Sequence, residues 1–102
     1  MAAFVTLAAD VELEQGRLAS FELSGQRIAV ANVDGTFWGL DDACTHRQCS
    51  LAEGTLEGAV VTCPCHGSRF DVTTGERMRG PAVRPVRTYP LRHQGRVLEV
   101  EL

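Results

Sequence analysis

Apolar and polar positions alternate over short stretches of the chain, and turn residues separate those stretches at regular intervals, which is the pattern of short β-strands rather than of helices. Phe4 to Ala8 is the first expected strand. Asp10 to Gly16 is polar, a loop or one helical turn that Gly16 ends. Arg17 to Leu23 alternates imperfectly, because Leu18 and Phe21 do not keep the same phase. After a Ser24-Gly25 turn, Gln26 to Val33 follows as a strand rich in Ile and Val. Asp34-Gly35 is the strongest hairpin signal in the chain, since both positions tolerate positive φ, and it returns Thr36 to Leu40 antiparallel with Trp38 packed on the sheet.

Beyond Leu40 the same reading continues in shorter pieces. Ser50 to Gly54 is a loop exit or a single helical turn. Thr55-Leu56, a Glu57-Gly58 turn and Ala59 to Thr62 make a hairpin, and Arg69 to Val72 is a strand that Thr74-Gly75 turns back. Thr88 to His93 and Arg96 to Glu101 form a terminal hairpin around Gln94-Gly95. Short strands at this spacing, without repeats or linkers, predict an all-β fold: an antiparallel barrel or sandwich forming one domain over residues 1–102.

Composition narrows the function. With 102 residues and 44% hydrophobic content the chain is long enough for one modest core, which a bound metal group would help to staple. No apolar run approaches the length of a membrane span, and the opening MAAFVTLAAD lacks a basic segment followed by an apolar core. The expectation is a cytoplasmic protein without a membrane anchor. A net charge of −3 argues against nucleic acid as a partner. All ten basic residues other than histidine are arginines, and Arg69, Arg77, Arg79, Arg84 and Arg87 lie close in sequence, either as a solvated face or as a patch that steers an acidic partner.

The chemistry is concentrated in two stretches, Cys44-Thr45-His46-Arg47-Gln48-Cys49 and Cys63-Pro64-Cys65-His66-Gly67-Ser68, which hold all four cysteines and two of the three histidines. As ligand spacing they read C-x-H, sixteen intervening residues, then C-x-x-H. Four ligands of this kind can close a tetrahedral zinc site, although the common zinc-finger order keeps the two cysteines together and the two histidines together. Here each stretch contributes one of each, as a [2Fe–2S] cluster with two histidines on one iron requires. That arrangement puts Cys44 and Cys63 on one iron and His46 and His66 on the other. No nucleophile paired with a base, no carboxylate pair and no phosphate loop competes with it as a functional site, so the expectation is an electron-transfer protein rather than an enzyme. His93 belongs to no motif and is read as structural or surface.

These residues resemble the Rieske iron–sulfur family, whose C-x-H and C-x-x-H motifs they match position by position; the resemblance continues through CPCHGSRFDVTTGE and Gly80-Pro81-Ala82. It implies a base of antiparallel strands carrying a smaller cluster-binding subdomain, about residues 42–82, and one [2Fe–2S] cluster. It also implies a disulfide between Cys49 and Cys65, as in the Rieske proteins of cytochrome bc complexes, on a chain otherwise similar to the ferredoxins of ring-hydroxylating oxygenases. Ser68 is implied as a hydrogen-bond donor to a cluster sulfide. Phe70 stands where the high-potential branch carries a tyrosine, which implies a potential inside the roughly −150 to +300 mV Rieske span and below the bc type. Pro81 is implied in a loop covering the cluster.

The resemblance further implies a monomeric one-electron carrier between a flavin-containing, NAD(P)H-dependent reductase and a terminal oxygenase in a dioxygenase system. Reduction would place negative charge beside the imidazoles, making the potential pH-dependent. Three alternatives stay open at this point: a small subunit of a reductase such as nitrite reductase, a zinc-stabilised binding module, and a dithiol switch built on Cys49 and Cys65.

Overall fold

One strand explains the layout of the molecule. In the computed structural model, which describes residues 3–46 and 48–102, strand β3 (Gln26–Val33) is buried continuously from Ile28 to Asn32. A strand exposes alternate side chains to opposite faces, so burial at every position means that both faces are covered. Ile28 and Val30 enter one core with Leu7, Tyr89, Leu98 and Val100. The small Ala29 and Ala31 face the other, with Leu40, Cys44, Leu51, Val61, Cys63, Phe70, Val72, Ala82 and Val86. The two candidate ligand cysteines thus belong to the hydrophobic core on the alanine side.

Three antiparallel sheets surround these cores. β2 (Leu18–Leu23), β3, β4 (Thr36–Asp41) and β9 (Thr88–Tyr89) form the central one in the order β2-β3-β4-β9. β1 (Phe4–Ala9), β11 (Val97–Glu101) and β10 (Leu91–Gln94) form a second, order β1-β11-β10, which closes the Ile28 core. β5 (Thr55–Glu57), β6 (Val60–Thr62), β7 (Arg69–Asp71) and β8 (Arg77–Arg79) form the third in sequence order. This last sheet is inserted between β4 and β9, which pair with each other through Gly39 with Tyr89 and Leu40 with Thr88. A 3₁₀ turn at Leu51–Glu53 precedes it, the single helical turn read from Ser50 to Gly54.

The expected strands are present, with differences in their ends, and β8 (Arg77–Arg79) is an additional strand that the sequence pattern did not indicate. The Asp34-Gly35 hairpin has positive φ at both residues (52° and 91°) and sets Val33 opposite Thr36. The turn placed at Glu57-Gly58 lies one residue later, at Gly58-Ala59, because Glu57 pairs with Val60. The terminal turn is likewise at Gly95-Arg96 rather than Gln94-Gly95, since Gln94 pairs with Val97. Thr88 to His93 is not one strand. Pro90, which has no N–H for a ladder, divides it into β9 on the central sheet and β10 on the terminal one. No helix of the described residues is long and apolar enough to cross a membrane.

Candidate metal centre

The two cysteine-histidine stretches fold into the same turn. In the first, the Cys44 N–H donates to the Cys49 carbonyl (2.9 Å) and the Gln48 N–H donates back to the Cys44 carbonyl (2.7 Å). In the second, the Cys63 N–H donates to the Ser68 carbonyl (2.8 Å) and the Gly67 N–H to the Cys63 carbonyl (3.2 Å). Each turn needs a left-handed residue at its fifth position, supplied by Gln48 (φ 60°) and by Gly67 (φ 80°). Glycine adopts this conformation freely and glutamine at a cost of roughly 1–2 kcal/mol, which the surrounding contacts must offset.

Asp42 anchors the first turn. It is fully buried at the end of β4, where its carboxylate accepts from the Ser50 hydroxyl (2.7 Å) and the Ala52 N–H (2.9 Å) and faces the Arg27 guanidinium at 3.5 Å. Its carbonyl accepts the Leu51 N–H (2.7 Å), and Ala43 bridges Ser50. Both ends of the loop are therefore tied to one residue. Nothing in the sequence around Asp42 separates it from Asp41. The second turn hangs between β6 and β7, and Gly54 makes room for it. A Cβ on Gly54 would lie 1.9 Å from the Thr62 carbonyl oxygen, immediately before Cys63.

Between the turns the donors are segregated. Cys44 and Cys63 are buried free cysteines; burial, and then the Cys44 thiol beside it, push the Cys63 thiol pKa up. His46 is half-buried and His66 exposed, and their rings meet edge to face with centroids 5.1 Å apart. Cys49 and Cys65 are joined by a disulfide that links the two turns. The Sγ atoms of Cys49, Cys63 and Cys65 lie within 4.8 Å of one another, but two of these are bonded to each other and offer no thiolate. The donors left are two buried sulfurs and two imidazoles toward solvent. That set fits a group with a soft inner side and a nitrogen-bound outer side.

A third segment clamps both turns. Ser68 is buried, and its Oγ accepts the Ala82 N–H (3.0 Å), which leaves the hydroxyl proton free to be donated. The Thr45 hydroxyl donates to the Arg84 carbonyl (3.0 Å). Pro81 follows a cis peptide bond and is exposed, so the residue of this segment that packs inward is Ala82. Phe70 is fully buried in the core that contains Cys44 and Cys63. His93 is exposed on β10 with its ring 5.1 Å from that of Phe37, outside the donor set. Arg47 lies outside the described residues. Thr45 and the Arg84 carbonyl were not legible in sequence, since they are 39 residues apart and only the fold brings them together.

An all-β fold with two disulfide-linked turns presenting paired thiols and paired imidazoles defines a mixed sulfur–nitrogen metal protein. The family model for the Rieske [2Fe-2S] domain matches residues 3–90, and the chain belongs to that family, whose cofactor is one [2Fe–2S] cluster. It is 32% identical over 91 residues to the ferredoxin component of the naphthalene 1,2-dioxygenase system of Pseudomonas aeruginosa, covering 89% of this chain and 88% of that protein. It is 38% identical over 91 residues to the biphenyl dioxygenase ferredoxin subunit of Pseudomonas sp. (strain KKS102), covering 88% and 84%. Among solved structures it is similar to a chain of the complex of reduced oxygenase and oxidized ferredoxin in carbazole 1,9a-dioxygenase, with a TM-score of 0.87, 31% identity and coverage of 95% and 91%. The zinc reading is thereby set aside.

Proposed function

We propose that the protein is a one-electron carrier that delivers electrons from an NAD(P)H-dependent flavin reductase to a terminal oxygenase. The chain is read as one Rieske domain over residues 1–102, with about 42–82 as its cluster-binding part. Cys44 and Cys63 would hold one iron of the cluster and His46 and His66 the other. When bound, such a cluster accepts and returns a single electron without making or breaking a bond in a substrate.

The chain's own residues account for the rest. The buried thiolates of Cys44 and Cys63 and the surrounding Leu51, Val61 and Phe70 keep water from the inner side. The Ser68 hydroxyl, oriented by the Ala82 N–H, has one proton left to aim at a sulfur, which stabilises added negative charge. His66, exposed at the end of its turn, offers the shortest route outward. The observation that carries this reading is the pairing of the two imidazoles on the solvent side of two buried thiols. The ferredoxin names of the relatives and the carbazole complex support the choice of an oxygenase as acceptor.

The test is a reconstitution. Purified protein is expected to contain iron and acid-labile sulfide in equal amounts and, after chemical reduction, to transfer electrons to at least one of the terminal oxygenases of the naphthalene, biphenyl and carbazole systems. Colourless protein without labile sulfide would overturn the cluster; a coloured protein that reduces none of the three would overturn the acceptor.

A further inference from the structure

We infer that the edge running from Arg77 to Arg84 docks an acidic face of the terminal oxygenase, with Arg77, Arg79 and Arg84 as a cationic rim around Met78, Pro81 and Val83. The inference rests on the electron-carrier reading above. β8 is the outer strand of the inserted sheet, and all three of its residues are exposed. Met78 is 54% exposed and Val83 85%, the two highest values among the exposed large hydrophobic side chains, and they sit five residues apart on one segment. Apolar groups surrounded by arginines are the composition of an interface centre and its rim, where Arg and Met are enriched.

Position relative to the electron exit is fixed by contacts already described. Ala82 is bonded to Ser68 beyond His66, and the Arg84 carbonyl is bonded to Thr45 beside His46. The Arg77 guanidinium approaches to 3.9 Å from where a Cβ on Gly80 would stand, so it lies against the same segment. A partner seated on this edge therefore meets a segment whose Ala82–Arg84 end is held against both histidine-bearing turns.

Charge selects the partner's chemistry. From Arg77 to Leu98 the chain carries six arginines and no Asp or Glu. Among the described residues, Arg77, Arg79 and Arg84 form no ion pair, whereas Arg27, Arg92 and Arg96 each have a carboxylate partner. The net charge of −3 thus coexists with a run in which arginine is the only charged type, although exposed Glu76 stands immediately before it, so the edge is cationic against an acidic average. That contrast orients an approaching anionic surface before contact, and salt weakens it. Arginines on an outer strand can also serve merely to discourage strand pairing with another chain. That protective role predicts no effect on electron transfer.

The experiment uses the cluster-loaded, reduced protein mixed in stopped flow with whichever of the three oxidised oxygenases it reduces, and separately with a small neutral quinone. Raising salt from about 0.02 to 0.5 M is expected to slow transfer to the oxygenase at least tenfold. Arg77→Gln/Arg79→Gln is expected to slow it about fivefold at low salt and to flatten the salt dependence. Met78→Ser/Val83→Ser is expected to slow it at every salt concentration. Both variants should keep the visible spectrum and the quinone rate, which separates docking from damage to the cluster. Oxygenase rates indifferent to salt and to both variants would overturn the inference and leave the electron-carrier reading intact. So would an effect confined to reduction by the reductase, or a dimer of this chain that the substitutions dissolve. If no oxygenase is reduced while the quinone still is, the carrier-to-oxygenase reading falls and the docking surface falls with it.

Discussion

Asp42 is the residue on which the first cysteine–histidine turn depends, its carboxylate being engaged by Ser50, Ala52 and Arg27. Its carboxylate is buried and accepts two hydrogen bonds that no other described group replaces. Asp42→Ala would leave the Ser50 hydroxyl and the Ala52 N–H without partners and Arg27 without its carboxylate. The expected cost is about 2–4 kcal/mol in unfolding free energy, measured by denaturant titration, with Asp42→Asn recovering part of it. Phe70 makes a different point. It is fully buried in the core that also contains the candidate ligands Cys44 and Cys63. If the hydroxyl of Phe70→Tyr reaches a cysteine sulfur, a bond worth about 1 kcal/mol in favour of the reduced state raises the potential by about 40 mV, measured by redox titration. A lower or unchanged potential would show that position 70 does not address the sulfurs. The donor types themselves were readable in sequence because their spacing is local. The anchoring role of Asp42 was not, because its partners Ser50 and Ala52 are identified only once the loop has closed.

At the scale of elements, the two cysteine–histidine turns share the same pair of backbone hydrogen bonds and differ in the residue that takes the left-handed position. Gln48 adopts in the first turn the left-handed conformation that Gly67 adopts in the second. Gln48→Gly is expected to raise the thermal midpoint, corresponding to about 0.5–1 kcal/mol, since relief of the left-handed strain exceeds the added freedom of the unfolded chain. The segment from Gly80 to Val86 joins both turns to the rest of the fold. Ser68→Ala would leave the buried Ala82 N–H unsatisfied at a cost of about 1–3 kcal/mol, and would lower the redox potential if the Ser68 proton is aimed at the cluster. A loss of stability with no change in potential would confine Ser68 to the clamp. Element ends were legible where a turn has its own chemistry, as at Asp34-Gly35. They slipped by one residue at Gly58-Ala59 and Gly95-Arg96, where several turn placements suit the residues equally and the pairing across the strands decides. Pro90 carried the signal for the β9–β10 break, but the strand's apolar pattern runs straight through it.

For the molecule as a whole, stability is expected to be bounded in pH on both sides by groups away from the ligands. Bonds from the Thr73 hydroxyl and N–H hold the Asp71 carboxyl below its ordinary value, so its contribution is present above the unfolded carboxylate range near pH 4 and is lost as pH falls through the lower folded value. Burial, with the Asp41 carboxylate that accepts the Tyr89 hydroxyl at 2.6 Å, pushes Tyr89 up to about 12. The unfolded chain then loses this proton first, so stability should fall as pH rises from about 10 to 12. Unfolding monitored across pH checks both limbs, and Tyr89→Phe should remove the alkaline one. The Cys49–Cys65 bridge closes a loop across a sequence separation of 16, so its reduction in cluster-free protein is expected to cost about 3 kcal/mol. Denaturant titrations with and without reductant measure it.

Most of the strands, the all-β class and the four candidate ligands were present in the sequence, because strand periodicity and ligand spacing are properties of neighbouring residues; β8 (Arg77–Arg79) was not read as a strand, and the Cys49–Cys65 pairing came from the family resemblance. Only the fold decided that β3 would be buried on both faces, that the inserted sheet would bring Cys63 to Cys44 and His66 to His46, and that Ser68 and Thr45 would share one clamping segment. Those outcomes depend on which strands pair and which faces meet. They are set by burying Ile28 and Val30 on one side of the central sheet and Ala29 and Ala31 on the other, a choice made among contacts far apart in the chain.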